Sequence, residues 1–164
     1  QIGITTDMAP KRLREMAKKM ADDYVYLTNT YCRLMTDAEE VVRYLAGKYP
    51  LTVVSNGFVE CQHYKMEHTG LLPYFKHIVL SEEVNIQKPN PQIFDKAIEM
   101  NRTEIPDLQK SEVIMIGDSY TSDIAGAKAA GIDSIWVLTG EAPEEQKHDA
   151  TYIVSRLRDV MILL

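Results

Sequence analysis

Four short apolar runs, at 51–54, 78–80, 113–116 and 135–138, are separated by stretches with helical periodicity. A strand covered on both faces reads as an unbroken apolar run, and parallel neighbours need a crossover, usually a helix. The alternation therefore predicts an α/β fold: a three-layer, doubly wound parallel sheet with helices on both faces. The helix before the third run is well marked, with Asn90 as N-cap, Pro91 in its first turn, and Ile93, Phe94, Ala97 and Ile98 on an inward face. Gly70 and Gly131 stand where helices stop, residues 152–154 read as a last short strand, and 157–164 as a closing helix.

Ahead of the sheet, Leu13, Met16, Ala17, Met20 and Tyr24 share one helical face, while Lys11, Arg12, Arg14, Lys18 and Lys19 mostly occupy the rest. Asp7, Glu15, Asp22 and Asp23 dilute that basic charge, so a solvated face is expected rather than an anion site. Thr36-Asp37-Ala38-Glu39 has the form of a capping box opening a second helix that ends near Gly47. The expected division is a helical segment at 1–35 and a sheet domain at 36–164.

With 18 Lys and Arg against 24 Asp and Glu, a net charge of −6 argues against a protein that tracks nucleic-acid phosphates. No apolar run approaches the roughly 18 residues that a membrane helix needs. Cys32 and Cys61 are too few for a disulfide framework, so a reducing, cytoplasmic setting without membrane attachment is expected. The chain opens at Gln1 and its first methionine is Met8, from which a processed chain or a fragment is expected.

Ligands of open α/β sheets gather beyond the carboxyl ends of the strands. After the first run come Ser55, Asn56 and Gly57; after the second, a segment leading to Lys88; after the third, Gly117, Asp118 and, at the start of a helix, Asp123. A hydroxyl with backbone N–H groups holds phosphoryl oxygens, a lysine neutralises charge, and carboxylates suit Mg²⁺. Each element alone has a plainer role: Ser55 and Asn56 as helix caps, the two aspartates as partners of their own helix dipole, Lys88 as a solvated surface lysine. Their order favours one site, because Ser55, Lys88 and Asp118 are each separated by about 30 residues, one βαβ unit.

These residues resemble the haloacid dehalogenase-like phosphohydrolases with a helical cap. Val54-Ser55-Asn56-Gly57 is similar to that family's second motif, Lys88-Pro89 to its third, and the stretch from Gly117 to Asp123 to its fourth. Asn56-Gly57-Phe58 with Glu67-His68-Thr69-Gly70-Leu71, and Ser81-Glu82-Glu83-Val84 with Lys88-Pro89-Asn90-Pro91, resemble a pyrimidine 5′-nucleotidase branch. The resemblance runs from about Ala38 onward and implies that residues 1–35 are a remnant of the cap. It further implies that Ser55 donates to the phosphoryl group, with Asn56 and Gly57 in the same phosphate-binding loop. Lys88 stabilises nucleophile and phosphoryl charge, Asp118 ligates Mg²⁺, and Asp123 supports the metal or its waters. The implied substrate is a small phosphorylated metabolite, probed first among nucleoside 5′-monophosphates.

The family's first motif, D-x-D, supplies a nucleophilic aspartate and an acid–base aspartate, and no D-x-D occurs in these 164 residues. Asp22-Asp23 has the wrong spacing and lies in a predicted helix. The expectation is that a strand carrying that motif belongs between those ending at Ser55 and Asp118. It would come from a missing N-terminal segment or another chain, and residues 1–164 alone would be inactive. The alternative is a non-catalytic module of the same fold that binds Mg²⁺ and phosphate or a protein partner. Elsewhere, His63 and His68 are too far apart for one helix face and are expected to be surface or packing residues. Cys61 is expected as a buried inert thiol, and Trp136 as core at a strand end.

Overall fold

The computed structural model describes residues 10–164; Asp7, Met8 and the start of the segment expected at 1–35 lie outside the described residues. Two compact units divide between Arg33 and Leu34. In the first, α1 (Pro10–Thr30) follows the apolar period, yet none of its residues is buried, and Met20 is 69% exposed.

The second unit begins with α2 (Ala38–Ala46). Its expected capping box does not form: Asp37, not Thr36, adjoins the helix, with φ of 64° and no side-chain cap bond. Backbone bonds replace the box, with Ala38 N–H donating to the Met35 carbonyl at 3.1 Å and Val41 N–H to that of Asp37 at 3.0 Å. The chain continues through β1 (Thr52–Ser55), α3 (Val59–His68), β2 (His77–Leu80), α4 (Ser81–Val84), α5 (Pro91–Asn101) and β3 (Ile114–Gly117). A π-helical turn at Tyr120–Ile124 leads into α6 (Ala125–Ala130), followed by β4 (Asp133–Val137), α7 (Glu144–Lys147), β5 (Tyr152–Val154) and α8 (Val160–Leu163). Asn90 caps α5 as its sequence demands, its side chain accepting from Gln92 N–H at 3.0 Å. The charged stretch around 141–149 contains the single turn of α7.

All strand pairs are parallel, in two blocks: β1 with β2, and β3–β4–β5. Val53 lies opposite Ile78, Ile116 opposite Ile135, and Trp136 opposite Ile153. No ladder joins β1 to β3. Side chains alternate across the sheet as a pleat requires. Ile114 and Ile116 pack with Val41, Leu45, Ile135 and Val160 on the face covered by α2 and α8. Met115 packs on the opposite face with Val79, Ile93, Phe94 and Ala130, under α5 and α6. That second cluster also takes Val54 of β1, so packing spans the two blocks where hydrogen bonding does not. Among the described residues no helix is long and apolar enough to cross a membrane.

Candidate active site

The loops that leave β1, β2 and β3 meet at Lys88. Its ammonium donates to the Val54 carbonyl at 2.7 Å and to Asp123 Oδ1 at 2.7 Å, reaching from the end of β1 to the turn beyond β3. The Lys88 and Asp123 side chains are only 10% and 8% exposed, which replaces the solvated-surface role by a buried ion pair. Burying either charge without the other is costly, so each holds its partner in place. The other Asp123 oxygen, Oδ2, accepts from Ser119 N–H at 3.1 Å. Gly117 permits this approach, since a Cβ there would come within 2.6 Å of Asp123 Cγ. The glycine following the apolar run was the sequence signal for that crowding.

Asn56, though exposed, grips the main chain of Lys88. Its Oδ1 accepts from Lys88 N–H at 2.8 Å and its Nδ2 donates to the Lys88 carbonyl at 3.0 Å. Neither Ser55 nor Asn56 caps α3, which starts after Phe58 without a side-chain cap bond. Ser55 Oγ instead accepts from Gly57 N–H at 3.0 Å and from Gln62 Nε2 at 2.9 Å. Glu82 ties the neighbouring loops together by accepting from Val59 N–H at 2.8 Å. Beside them opens a cleft of about 340 Å³, lined by Asn56, Gly57, Phe58, Ser81, Asn85 and Gln87 among others. That volume falls in the range of small-molecule pockets.

Asp118 is exposed, and its carboxylate makes no hydrogen bond or ion pair with the described residues. Its carbonyl accepts from the indole N–H of Trp136 at 3.0 Å; that indole is 3% exposed and lies 5.5 Å, centroid to centroid, from the Tyr120 ring. Tyr120 in turn donates to Asp149 Oδ2 at 2.8 Å, and Lys128 donates to Asp149 Oδ1 at 2.5 Å. These two bonds hold the Asp149 carboxyl below the usual carboxylate range, and the same carboxylate raises Lys128 and Tyr120.

Among the described residues no three His, Cys, Asp or Glu side chains cluster as a ready-made metal cage. Mg²⁺ does not require one, because it binds through one or two carboxylates and fills its octahedron with water and phosphate oxygens. Asp118 fits as one such ligand, and Asp123, with both oxygens engaged, fits a supporting place.

The family model of haloacid dehalogenase-like hydrolases matches residues 2–137. The chain belongs to that family. A pyrimidine 5′-nucleotidase of Escherichia coli strain K12, YjjG, is 32% identical over 154 residues, which are 94% of this chain and 67% of that protein. PynA, a pyrimidine 5′-nucleotidase of Streptococcus pneumoniae, is 33% identical over 69% of this chain and 46% of its own. The HAD-hydrolase YfnB of Bacillus subtilis, solved bound to magnesium, superposes with a TM-score of 0.73 at 30% identity, covering 80% of this chain and 56% of that one. The chain thus spans about half to two thirds of the length of these relatives.

In this chain the polar residues of the candidate site lie beyond the carboxyl ends of β1, β2 and β3 or at the last residue of β1. Elsewhere, His68 stacks on Tyr64 at 5.4 Å, in line with a packing role, and Cys61 is buried. Gln62, the Val54 carbonyl and the Trp136 N–H were not singled out in the sequence. Their parts depend on contacts made in three dimensions.

Proposed function

We propose that this chain is the core of a Mg²⁺-dependent phosphomonoester hydrolase acting on nucleoside 5′-monophosphates or similar small phosphates. The observation that carries the reading is the Lys88 ammonium, bonded to both the Val54 carbonyl, next to Ser55, and Asp123. A cation fixed there neutralises a phosphate dianion as a carboxylate approaches it. Ser55 and the N–H groups of its loop hold phosphoryl oxygens, while Asp118, supported by Asp123, holds the metal. The metal itself supplies charge neutralisation at the phosphoryl oxygens.

The attacking carboxylate of a D-x-D motif is absent from these 164 residues. We place it on a strand seated between β1 and β3, whose facing edges share no ladder. The same open edge favours the second reading, a non-catalytic Mg²⁺- and phosphate-binding module completed by a partner's strand. An assay of the full-length protein with pyrimidine and purine 5′-monophosphates and small sugar phosphates, with and without Mg²⁺, separates the two. Asp118→Asn is expected to abolish Mg²⁺-dependent hydrolysis with little change in Tm. Wild-type turnover in that variant overturns the metal assignment.

A further inference from the structure

Ser55 accepts two hydrogen bonds, from Gly57 N–H and from the Gln62 carboxamide. A hydroxyl has two acceptor positions and one proton. With both acceptor positions filled, the proton of Ser55 has no place within its own loop and is left to donate outward. We infer that Gln62 is a positioning residue that fixes Ser55 as a hydrogen-bond donor toward a phosphoryl oxygen. The inference rests on the phosphate-binding role proposed above for Ser55.

The loop is built for this contact. Gln62 stands on the first turn of α3, seven residues beyond Ser55, and its side chain crosses over Gly57. A Cβ at Gly57 would come within 2.9 Å of Gln62 Cδ and collide with its Nε2. The glycine that follows Ser55-Asn56 therefore does more than turn the chain: it leaves the space through which the amide reaches the hydroxyl. A backbone N–H alone leaves one acceptor position of Ser55 open. The second donor closes it and prevents the hydroxyl from turning its lone pair toward an anionic ligand, where it would repel rather than bind.

The test reverses the polarity at constant shape. In Gln62→Glu the amide becomes a carboxylate, which only accepts and so captures the Ser55 proton. Inorganic phosphate affinity is measured by calorimetry on the full-length protein with Mg²⁺, alongside kcat and KM for a nucleoside monophosphate. Ser55→Ala is expected to weaken phosphate binding about tenfold or more, the loss of one hydrogen bond to a charged acceptor. Gln62→Glu is expected to do the same, and Gln62→Met, which removes the donor without capturing the proton, only about threefold.

The added negative charge also repels phosphate, and the Ser55→Ala background isolates that part. The loss from Gln62→Glu is expected to be about tenfold larger with Ser55 present than without it. Equal losses in both backgrounds overturn the proposal, as does unchanged affinity in Gln62→Glu. Ser55→Ala without effect removes the underlying phosphate role as well, which sets that failure apart from a failure of Gln62 alone. A readout that needs no stable Gln62→Glu protein is the exchange of the Gln62 side-chain N–H protons, assigned as the resonances lost in Gln62→Met. Slow exchange supports the donor; exchange at the rate of a solvated amide overturns it.

Discussion

β4 and β3 are adjacent in one ladder, and β4 carries the more polar sequence, yet they differ in what surrounds them. β4 is paired on both sides, and Ser134, Ile135, Trp136 and Val137 are all at most 3% exposed. β3 is paired on one side, as is β1, and every residue of both strands is only partly buried. In a parallel sheet the second neighbour, as much as the helices above and below, is what removes a strand from water. The Val-Ile runs of β1 and β3 have the composition of central strands and the exposure of edges.

The largest consequence concerns cooperativity. Unpaired parallel edges are templates for association, and each backbone group left buried without a partner costs about 1–3 kcal/mol. A handful of these is comparable to the roughly 5–15 kcal/mol stability of a whole domain. The 164-residue chain on its own is therefore expected to self-associate and to melt without a sharp transition. In hydrogen exchange, β4 amides should be protected and those of β1 and β3 facing the open edge should not. A monomeric, sharply melting 164-residue product overturns the strand placement.

Next in size is the ion pair that bridges this edge. Lys88→Met keeps most of the aliphatic stem and leaves Asp123 buried without its cation. The expected cost is about 3–5 kcal/mol in stability, from breaking a buried pair by removing one partner. In the full-length protein kcat should also fall about a hundredfold, as for loss of one charge-stabilising donor. Unchanged kcat/KM returns Lys88 to a structural role.

A matched pair of substitutions sharpens the contrast between the strands. Ile116 and Ile135 lie opposite each other in the ladder and pack in the same cluster, but Ile135 is fully buried and Ile116 is not. Ile135→Ala should cost about 2–5 kcal/mol. If a strand fills the open edge in the full-length protein, Ile116→Ala should cost about the same there. A cost about half that of Ile135→Ala in denaturant titrations shows that the edge stays open.

What sequence made legible follows the same division. Short-range physics was readable: the apolar runs fall within one or two residues of β1 to β4, and Asn90-Pro91 caps α5 as its chemistry requires. The spacing of Ser55, Lys88 and Asp118 by about 30 residues pointed to successive strand ends, and Lys88 does reach from β1 to the turn beyond β3. What escaped depends on distances between segments far apart in sequence. Asn56 was assigned to phosphate, and its side chain holds the Lys88 backbone 32 residues away. Gln62 had no motif to mark it. Thr36 had the pattern of a cap, but the left-handed turn at Asp37 takes the helix start out of its reach.

The smallest predicted effect lies on the closed side of the sheet, in the exposed Lys128–Asp149 pair that Tyr120 completes. The Asp149 carboxyl is lowered first by the bond from Lys128 and then by that from Tyr120. A lowered carboxyl favours the folded state above its unfolded value, about 3.9, and that advantage is lost as pH falls through the folded value. Lys128 and Tyr120 are raised by the same carboxylate, so their share is intact at neutral pH and is lost only as strongly alkaline pH is reached. The Tm difference between wild type and Asp149→Asn should therefore be flat from about pH 5 to 9 and shrink below about pH 4, where protonation makes the two side chains alike. Because the pair is solvent-screened, added salt should shrink the difference further, unlike the effect of Lys88→Met, whose partner is shielded from solvent. A difference that grows on acidification overturns the assignment of Asp149 as the ionised member of this network.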